Sequence, residues 1–327
     1  MTRLFKIDHL TRFGYTDPIR ESVVELRMQP RTEGRQSLRA FDLSISPHSQ
    51  LFAYTDFLGN TVYTFDVPGQ HQELEIRSRS LVEVSAADPL PDALPADSWQ
   101  ALDRLAGSAD NWEMTQPSTF AEASDLLDGF EAGLELGDDL DPLTKLHRLN
   151  DAVYAAFDYV PESTRADSPI DEALTQRRGV CQDFAHIMIT IVRRWGVPAR
   201  YVSGYILPGD GATDRSSPDA SHAWVEACLP EIGWFGLDPT NDTIASERHV
   251  RVAVGRDYAD VPPTRGLFKG DAESDLSVAV TVEPVDGSIR HEEFMRSARP
   301  VRRRPSAPPP PPPPEVELQQ QQQQQQQ

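Results

Sequence analysis

Arg178-Gly179-Val180-Cys181-Gln182-Asp183-Phe184-Ala185-His186 opens a stretch that runs on to Trp195 and Gly196. Phe184, Ile187, Met188, Ile191, Val192 and Trp195 recur at i, i+3, i+4, i+7, i+8 and i+11, the spacing of one buried helical stripe. Gly196-Val197-Pro198 then stops the helix. Cys181 therefore falls at or just before the first helical turn. Unpaired N–H groups and the positive end of the helix dipole stabilise a thiolate there, and the same N–H groups can donate to an oxyanion forming on an attacked carbonyl. The spacing also suits a plainer role, since a cysteine three positions before Phe184 can extend the apolar stripe as a small buried residue.

Downstream, strand-like runs cover Ala199–Ile206, His222–Leu229 and Gly233–Asp238, with further strands expected at Val250–Val254 and Ser277–Val282. His222 opens the second run after a Gly/Asp/Ser/Pro-rich loop at 209–220, and Asp238 closes the third just before Pro239. A hairpin of these two strands places His222 and Asp238 at one edge. A nucleophilic thiol needs a base to carry its proton, and the imidazole needs a carboxylate to orient it. Taken singly, each residue has a bland reading: a surface histidine and a turn-starting Asp-Pro.

Upstream, Asp141-Pro142 is an N-cap followed by proline at the first helical position, and Leu146, Leu149, Val153, Ala156 and Phe157 share one helical face. Residues 142–290 thus read as one compact unit. Residues 88–141 hold 14 acidic residues and one basic residue, Arg104, which predicts an acidic, partly helical and loosely packed connector. Residues 1–87 alternate apolar and polar positions in segments such as Val24–Met28, Phe41–Ile45 and Tyr63–Val67. Breaks at Thr16-Asp17-Pro18, Pro30–Gly34 and Gly59-Asn60 predict six or seven short strands in a small β-sandwich. From 296 to 327 the chain carries Arg302-Arg303-Arg304, seven consecutive prolines and nine consecutive glutamines, the composition of a disordered tail. The fold class that follows is α+β.

The 327 residues carry 31 Lys+Arg against 51 Asp+Glu, a net charge of −20, which repels phosphate backbones and anionic membranes. The expected partners therefore include no nucleic acid and no membrane. No apolar run reaches the length of a membrane-spanning helix, and the first fifteen residues are interrupted by Lys6, Asp8 and His9, so a cytoplasmic location is expected. With only Cys181 and Cys228, neither a disulfide framework nor a cysteine-rich zinc site can form. Neither CxxC nor HExxH spacing occurs, nor GxGxxG or GxxxxGK[ST]; no metal and no cofactor are expected.

Together, Gly179-Val180-Cys181, His222-Ala223-Trp224-Val225-Glu226 and Leu237-Asp238-Pro239-Thr240 resemble the transglutaminase-like superfamily, the papain-related enzymes with chain order Cys…His…Asp. Gly179 through His186, and Pro198-Ala199-Arg200-Tyr201-Val202-Ser203-Gly204-Tyr205, are similar to its bacterial branch of cysteine peptidases, which carries an N-terminal β-domain. Asp56-Phe57-Leu58-Gly59-Asn60 looks like part of that domain, and Gly255-Arg256-Asp257-Tyr258 like the branch's C-terminal end. The resemblance spans about residues 3–285. It implies a papain-like core whose Cys-bearing helix packs on an antiparallel sheet, a Cys181–His222–Asp238 triad, and a peptide or protein substrate.

The activity expected from this resemblance is hydrolysis of an amide, peptide or isopeptide, through a thioester. Transfer of the acyl group to an amine is one alternative. A noncatalytic interaction protein, using the sandwich and a polyproline-binding partner for the tail, is another. The backbone N–H of Cys181 and Gln182 are the oxyanion candidates, and Trp224 and Trp234 are substrate-cleft candidates whose plain reading is core packing. Cys228 reads as structural. Asp183 and His186, i and i+3 on the polar side of the helix, read as a mutual or surface pair.

Overall fold

Buried and more exposed residues alternate from Phe5 to Tyr15 and again from Ser22 to Leu26, and the backbone stays extended through both runs. The computed structural model describes residues 2–285 except 96, 138, 208, 210–213, 217 and 218, together with 294, 319 and 320. In chain order it has strands β1 (Thr2–Leu26), β2 (Gln36–Ser46), β3 (Phe52–Thr55) and β4 (Thr61–Ser85), then helices α1 (Ser98–Ala106), α2 (Asp125–Ala132) and α3 (Pro142–Ala156). Next come β5 (Asp158–Tyr159), α4 (Ile170–Gln176), β6 (Arg178–Gly179) and α5 (Cys181–Arg194). Strands β7 (Ala199–Ile206), β8 (His222–Leu229), β9 (Gly233–Asp238), β10 (Thr243–Ile244) and β11 (His249–Gly255) follow. The last are β12 (Thr264–Lys269), β13 (Ser274–Val285) and β14 (Gln319–Gln320).

Two features of the first sheet correct the sequence reading. Instead of six or seven short strands, β1 and β4 are each 25 residues long and pair along most of their length. The expected break at Thr16-Asp17-Pro18 does not end a strand, and opposite it β4 continues through Pro68 and Gly69. These residues sit at register shifts between Gly14 and Glu21, where a proline without an N–H costs little, and the ribbon bends there. One core takes Phe13, Leu74 and Ile76 from one half of the ribbon and Val24, Leu26, Phe65 and Phe268 from the other, so the bent sheet packs on itself. The second correction concerns chain assignment. β12 pairs with Glu21–Leu26 and β13 with Leu4–Tyr15 of β1, so residues 264–285 complete the first sheet although the sequence grouped them with 142–290. Alternation identifies a strand but carries no information about which sheet receives it.

The second sheet is antiparallel, in the order β10-β9-β8-β7-β11. Ile187, Met188, Ile191 and Val192 of α5 pack on Ala199 and Tyr201 of β7 and Ala223 and Val225 of β8. α3 and the acidic segment cover α5. The expectation of a loosely packed connector over 88–141 does not hold, because Leu102, Leu127 and Phe130 are buried in the same core. The Arg193 guanidinium of α5 also donates to Met114 O (3.0 Å), Gln116 O (3.0 Å) and Ser118 Oγ (3.1 Å). The segment's charges lie outside while its sparse apolar groups face inward, a division that net composition conceals.

The two sheets meet through Phe5, Ile7, Val82 and Val84 against Tyr205, Val250 and Val252. Gln36 donates to Arg251 O (2.8 Å) and accepts from Arg251 N (2.8 Å). Asn60 does the same at Val254, donating to its O (2.8 Å) and accepting from its N (2.8 Å). These two amide side chains thus act as partners for the edge of β11. The expected disordered tail lies outside the described residues, apart from β14, which pairs with the end of β12.

Candidate active site

The segment before α5 sets the position of Cys181. Tyr159 pairs with Gly179 in a short parallel ladder, and a Cβ at Gly179 would approach Asp183 Oδ2 to 2.8 Å and Phe184 to 3.1 Å, so the turn requires glycine. Val180 is the N-cap and Cys181 the first residue of α5, partly exposed. Cys181 N–H belongs to the first turn, where no intrahelical acceptor exists. Asp183 accepts the Val180 N–H at 2.8 Å and the Thr164 hydroxyl at 2.5 Å, which holds the turn in place. Burial pushes the Asp183 carboxyl up to about 6 in spite of these bonds.

Strand register brings the other two residues together. Val225 pairs with Leu237 and Glu226 with Gly236, so Trp224 lies opposite Asp238, with His222 on the same face. His222 Nε2 donates to Asp238 Oδ2 at 2.8 Å, and both side chains are buried. His222 Nδ1 lies 3.2 Å from Ser216 Oγ, and Cys181 shares the cavity with the same ring. Burial alone would depress the His222 imidazolium, but the charge and hydrogen bond of Asp238, helped by Cys181, outweigh it and raise the group to about 10. Asp238 also accepts from Thr240 N (3.1 Å), Asn241 N (3.3 Å), Asn241 Nδ2 (2.8 Å) and His249 Nε2 (3.1 Å). Burial would raise its pKa, yet the two histidines hold it far below the usual carboxylate range.

Cys181 and His222 line one cavity of about 240 Å³, together with Tyr159, Gln182, Tyr201 and Tyr258. Val278 of β13 completes a wall, so the first sheet contributes to this cleft. Gln182 lies here, but its side-chain Nε2 donates to Ala166 O at 2.8 Å. The substrate-cleft expectation fails for both tryptophans. Trp224 is buried with its ring 6.0 Å from His222 and 5.2 Å from His249, and Trp234 lies under the Arg200 guanidinium. Both line a second cavity of about 210 Å³, on the face of β8 and β9 turned away from α5. Ala223 and Val225 face α5, so Trp224 shares the opposite face with His222 but lies two residues further along β8, outside the residues that line the cleft.

Asp183 and His186 are not a surface pair either. His186 is buried, accepts Tyr258 N–H at its Nε2 (3.2 Å) and stacks on Phe120. Burial leaves it neutral, lowered to about 3. Cys228 is buried, and burial pushes its thiol up to about 11.

Sequence reasoning missed Asn241 and His249. Asn241 ties Asp238 to Ser216 Oγ (2.8 Å) and Arg215 N (2.8 Å), fixing the loop before His222. Its place three residues after Asp238 was a usable signal. His249, eleven residues on at the start of β11, carried none.

His222, Asp238 and His249 present ligand atoms within 4.8 Å of one another, the one spatial grouping with a metal-ligand composition among the described residues. The hydrogen bonding does not suit a metal. His249 Nδ1 accepts Ser246 N–H at 3.1 Å, which leaves the ring proton on Nε2, so the atom turned toward Asp238 carries a hydrogen and not a lone pair.

Residues 134–239 match the model of the transglutaminase-like superfamily, and residues 5–83 match that of the bacterial transglutaminase-like N-terminal region. An uncharacterized protein of Mycobacterium leprae is 33% identical over 285 residues, covering 85% of this chain and 97% of its own. One from Mycobacterium tuberculosis is 35% identical over 303 residues, covering 89% and 96%. A protein-glutamine gamma-glutamyltransferase of Pseudomonas aeruginosa is 37% identical over 107 residues, which is 32% of this chain and 16% of that enzyme. Among solved structures, a protein of Cytophaga hutchinsonii named as a candidate cysteine protease superposes with a TM-score of 0.70 at 20% identity, over 89% of this chain and 93% of that one. That likeness is one of fold.

Proposed function

The chain belongs to the transglutaminase-like superfamily, and from that premise we propose that it hydrolyses an amide bond of a peptide or protein through a thioester on Cys181. One observation carries this reading. A cysteine at a helix N-terminus shares a cavity with a histidine whose far nitrogen is held by a buried carboxylate. Cys181 Sγ attacks the carbonyl carbon, and the oxyanion is met by the Cys181 N–H and the remaining Gln182 N–H. The His222 imidazolium then gives its proton to the departing amine, and the C–N bond breaks to leave the thioester. Water enters, His222 takes its proton, the C–S bond breaks and the acid leaves. Asp238 holds the imidazole in the tautomer this cycle needs and stabilises its charged form.

Amine transfer is the second reading, supported by the 107-residue likeness to a gamma-glutamyltransferase. The two differ only in what attacks the thioester. A peptide library turned over in the presence of a primary amine separates them: free acid supports hydrolysis, and an amide product replaces it with transfer. A reducing, cytoplasmic setting fits two unpaired cysteines. No helix among the described residues is long and apolar enough to cross a membrane.

A further inference from the structure

We propose that His249 is a positioning residue of this site, a fixed neutral donor that shares Asp238 with His222 and thereby keeps His222 an effective acid. The inference rests on the acyl-transfer reading given above.

Three observations converge on it. The Ser246 N–H donates to His249 Nδ1 at 3.1 Å, and this leaves the ring's single proton on Nε2. That Nε2 lies 3.1 Å from Asp238 Oδ2, the same oxygen that His222 Nε2 engages at 2.8 Å. The ring is buried and wedged against Trp224, with centroids 5.2 Å apart, so it has little room to turn. Burial lowers the pKa of His249, against the pull of Asp238, so it stays uncharged.

A hydrogen bond to a carboxylate stabilises the charged form. Part of the Asp238 charge is therefore already satisfied before His222 is considered. Without the second donor, Asp238 would bind the His222 proton harder, and His222 would surrender it to the leaving amine less readily. Other charges facing the ring do not substitute for this contact. Arg248, next to it in sequence, is tied to Asp214 at 2.6 Å. Across the cavity behind the ring, Glu226 is bridged by Arg200 at 2.7 Å and Arg251 at 3.2 Å, and Arg200 also reaches Glu33 at 3.6 Å. Arg35 stands at the rim of the same cavity and is exposed.

The test uses the full chain and needs no substrate. Histidine-ring nitrogen NMR of the unmodified protein should show His249 with a bare Nδ1 and a protonated Nε2 at neutral pH; the opposite tautomer overturns the proposal. Alkylation of Cys181 by a neutral reagent, followed against pH, has an alkaline step where His222 loses its proton. In His249→Leu that step should move up by about one pH unit, a tenfold change in proton affinity. In His249→Gln, which keeps an N–H at the same place, it should return toward the parent position. A purely structural role would slow alkylation without moving the step, and an unmoved step in a folded His249→Leu overturns the proposal. Should His249→Leu not fold, the tautomer of the parent protein decides alone. If both results hold but no acyl group is ever captured on Cys181, the hydrolase reading fails while the arrangement at Asp238 stands.

Discussion

His222 and Asp238 lie on neighbouring strands with Nε2 and Oδ2 2.8 Å apart, at a sheet position whose register puts both side chains on one face. Replacing Asp238 by Asn removes the charge and turns an amide NH2 toward a cluster of donors from His249 and Asn241. Turnover should fall by about 10²- to 10⁴-fold, the upper figure being the loss seen for the orienting carboxylate of a serine triad. The unpaired donors should also cost about 1–3 kcal/mol of stability. Steady-state kinetics with a denaturant melt checks both, and full activity in Asp238→Asn would remove Asp238 from the site.

Cysteine chemistry should be one-sided. Cys181 opens onto the cleft, whereas Cys228 is buried and its thiol raised to about 11. Iodoacetamide at pH 6 followed by peptide mapping should find label on Cys181 well before Cys228. Equal labelling would count against the nucleophile assignment.

Asp183 gives the fold a pH dependence of known sign. Its carboxyl is raised by burial from 3.8 to about 6, so the folded chain holds a proton that the unfolded chain has released between those values. Stability therefore falls as pH rises from about 4 to 6, and Asp183→Asn should lack that loss. Relative to the parent, the variant should gain about 2–3 kcal/mol between pH 4 and pH 7 in urea melts. A constant difference across that range would contradict the burial of the carboxyl.

The join between the sheets should be sensitive at Asn60. It is fully buried and binds both backbone groups of Val254 as well as Arg31 and Asp56. Asn60→Ala leaves the Val254 N–H and C=O without these partners and should cost about 2–4 kcal/mol, read as a lowered melting temperature. A change within about 0.5 kcal/mol, the size expected of an ordinary surface substitution, would show that the join does not depend on it.

Much of the site could be read in advance because it depends on local pattern. The 3.6-residue stripe after Cys181 located α5 and its start, and the strand runs from His222 and to Asp238 have the bounds the structure gives. What could not be read depends on which elements meet. Pro18 breaks a strand in a one-dimensional pattern but only shifts the register of a paired ribbon. Trp224 shares the face of His222 but lies two residues beyond the cleft, and His249 reaches Asp238 from β11, a strand that is not a neighbour of β9 in the sheet. The acidic segment's burial was hidden by its net charge.

The central claim is a covalent acyl group on Cys181. Substrate turned over by the full chain, quenched with acid within the first turnover and mapped by mass spectrometry, should yield an acyl adduct on the peptide containing Cys181. The adduct should be labile to hydroxylamine, as a thioester is, and Cys181→Ala should show neither adduct nor turnover. Turnover that persists in Cys181→Ala, or an adduct carried by another residue, would contradict the account.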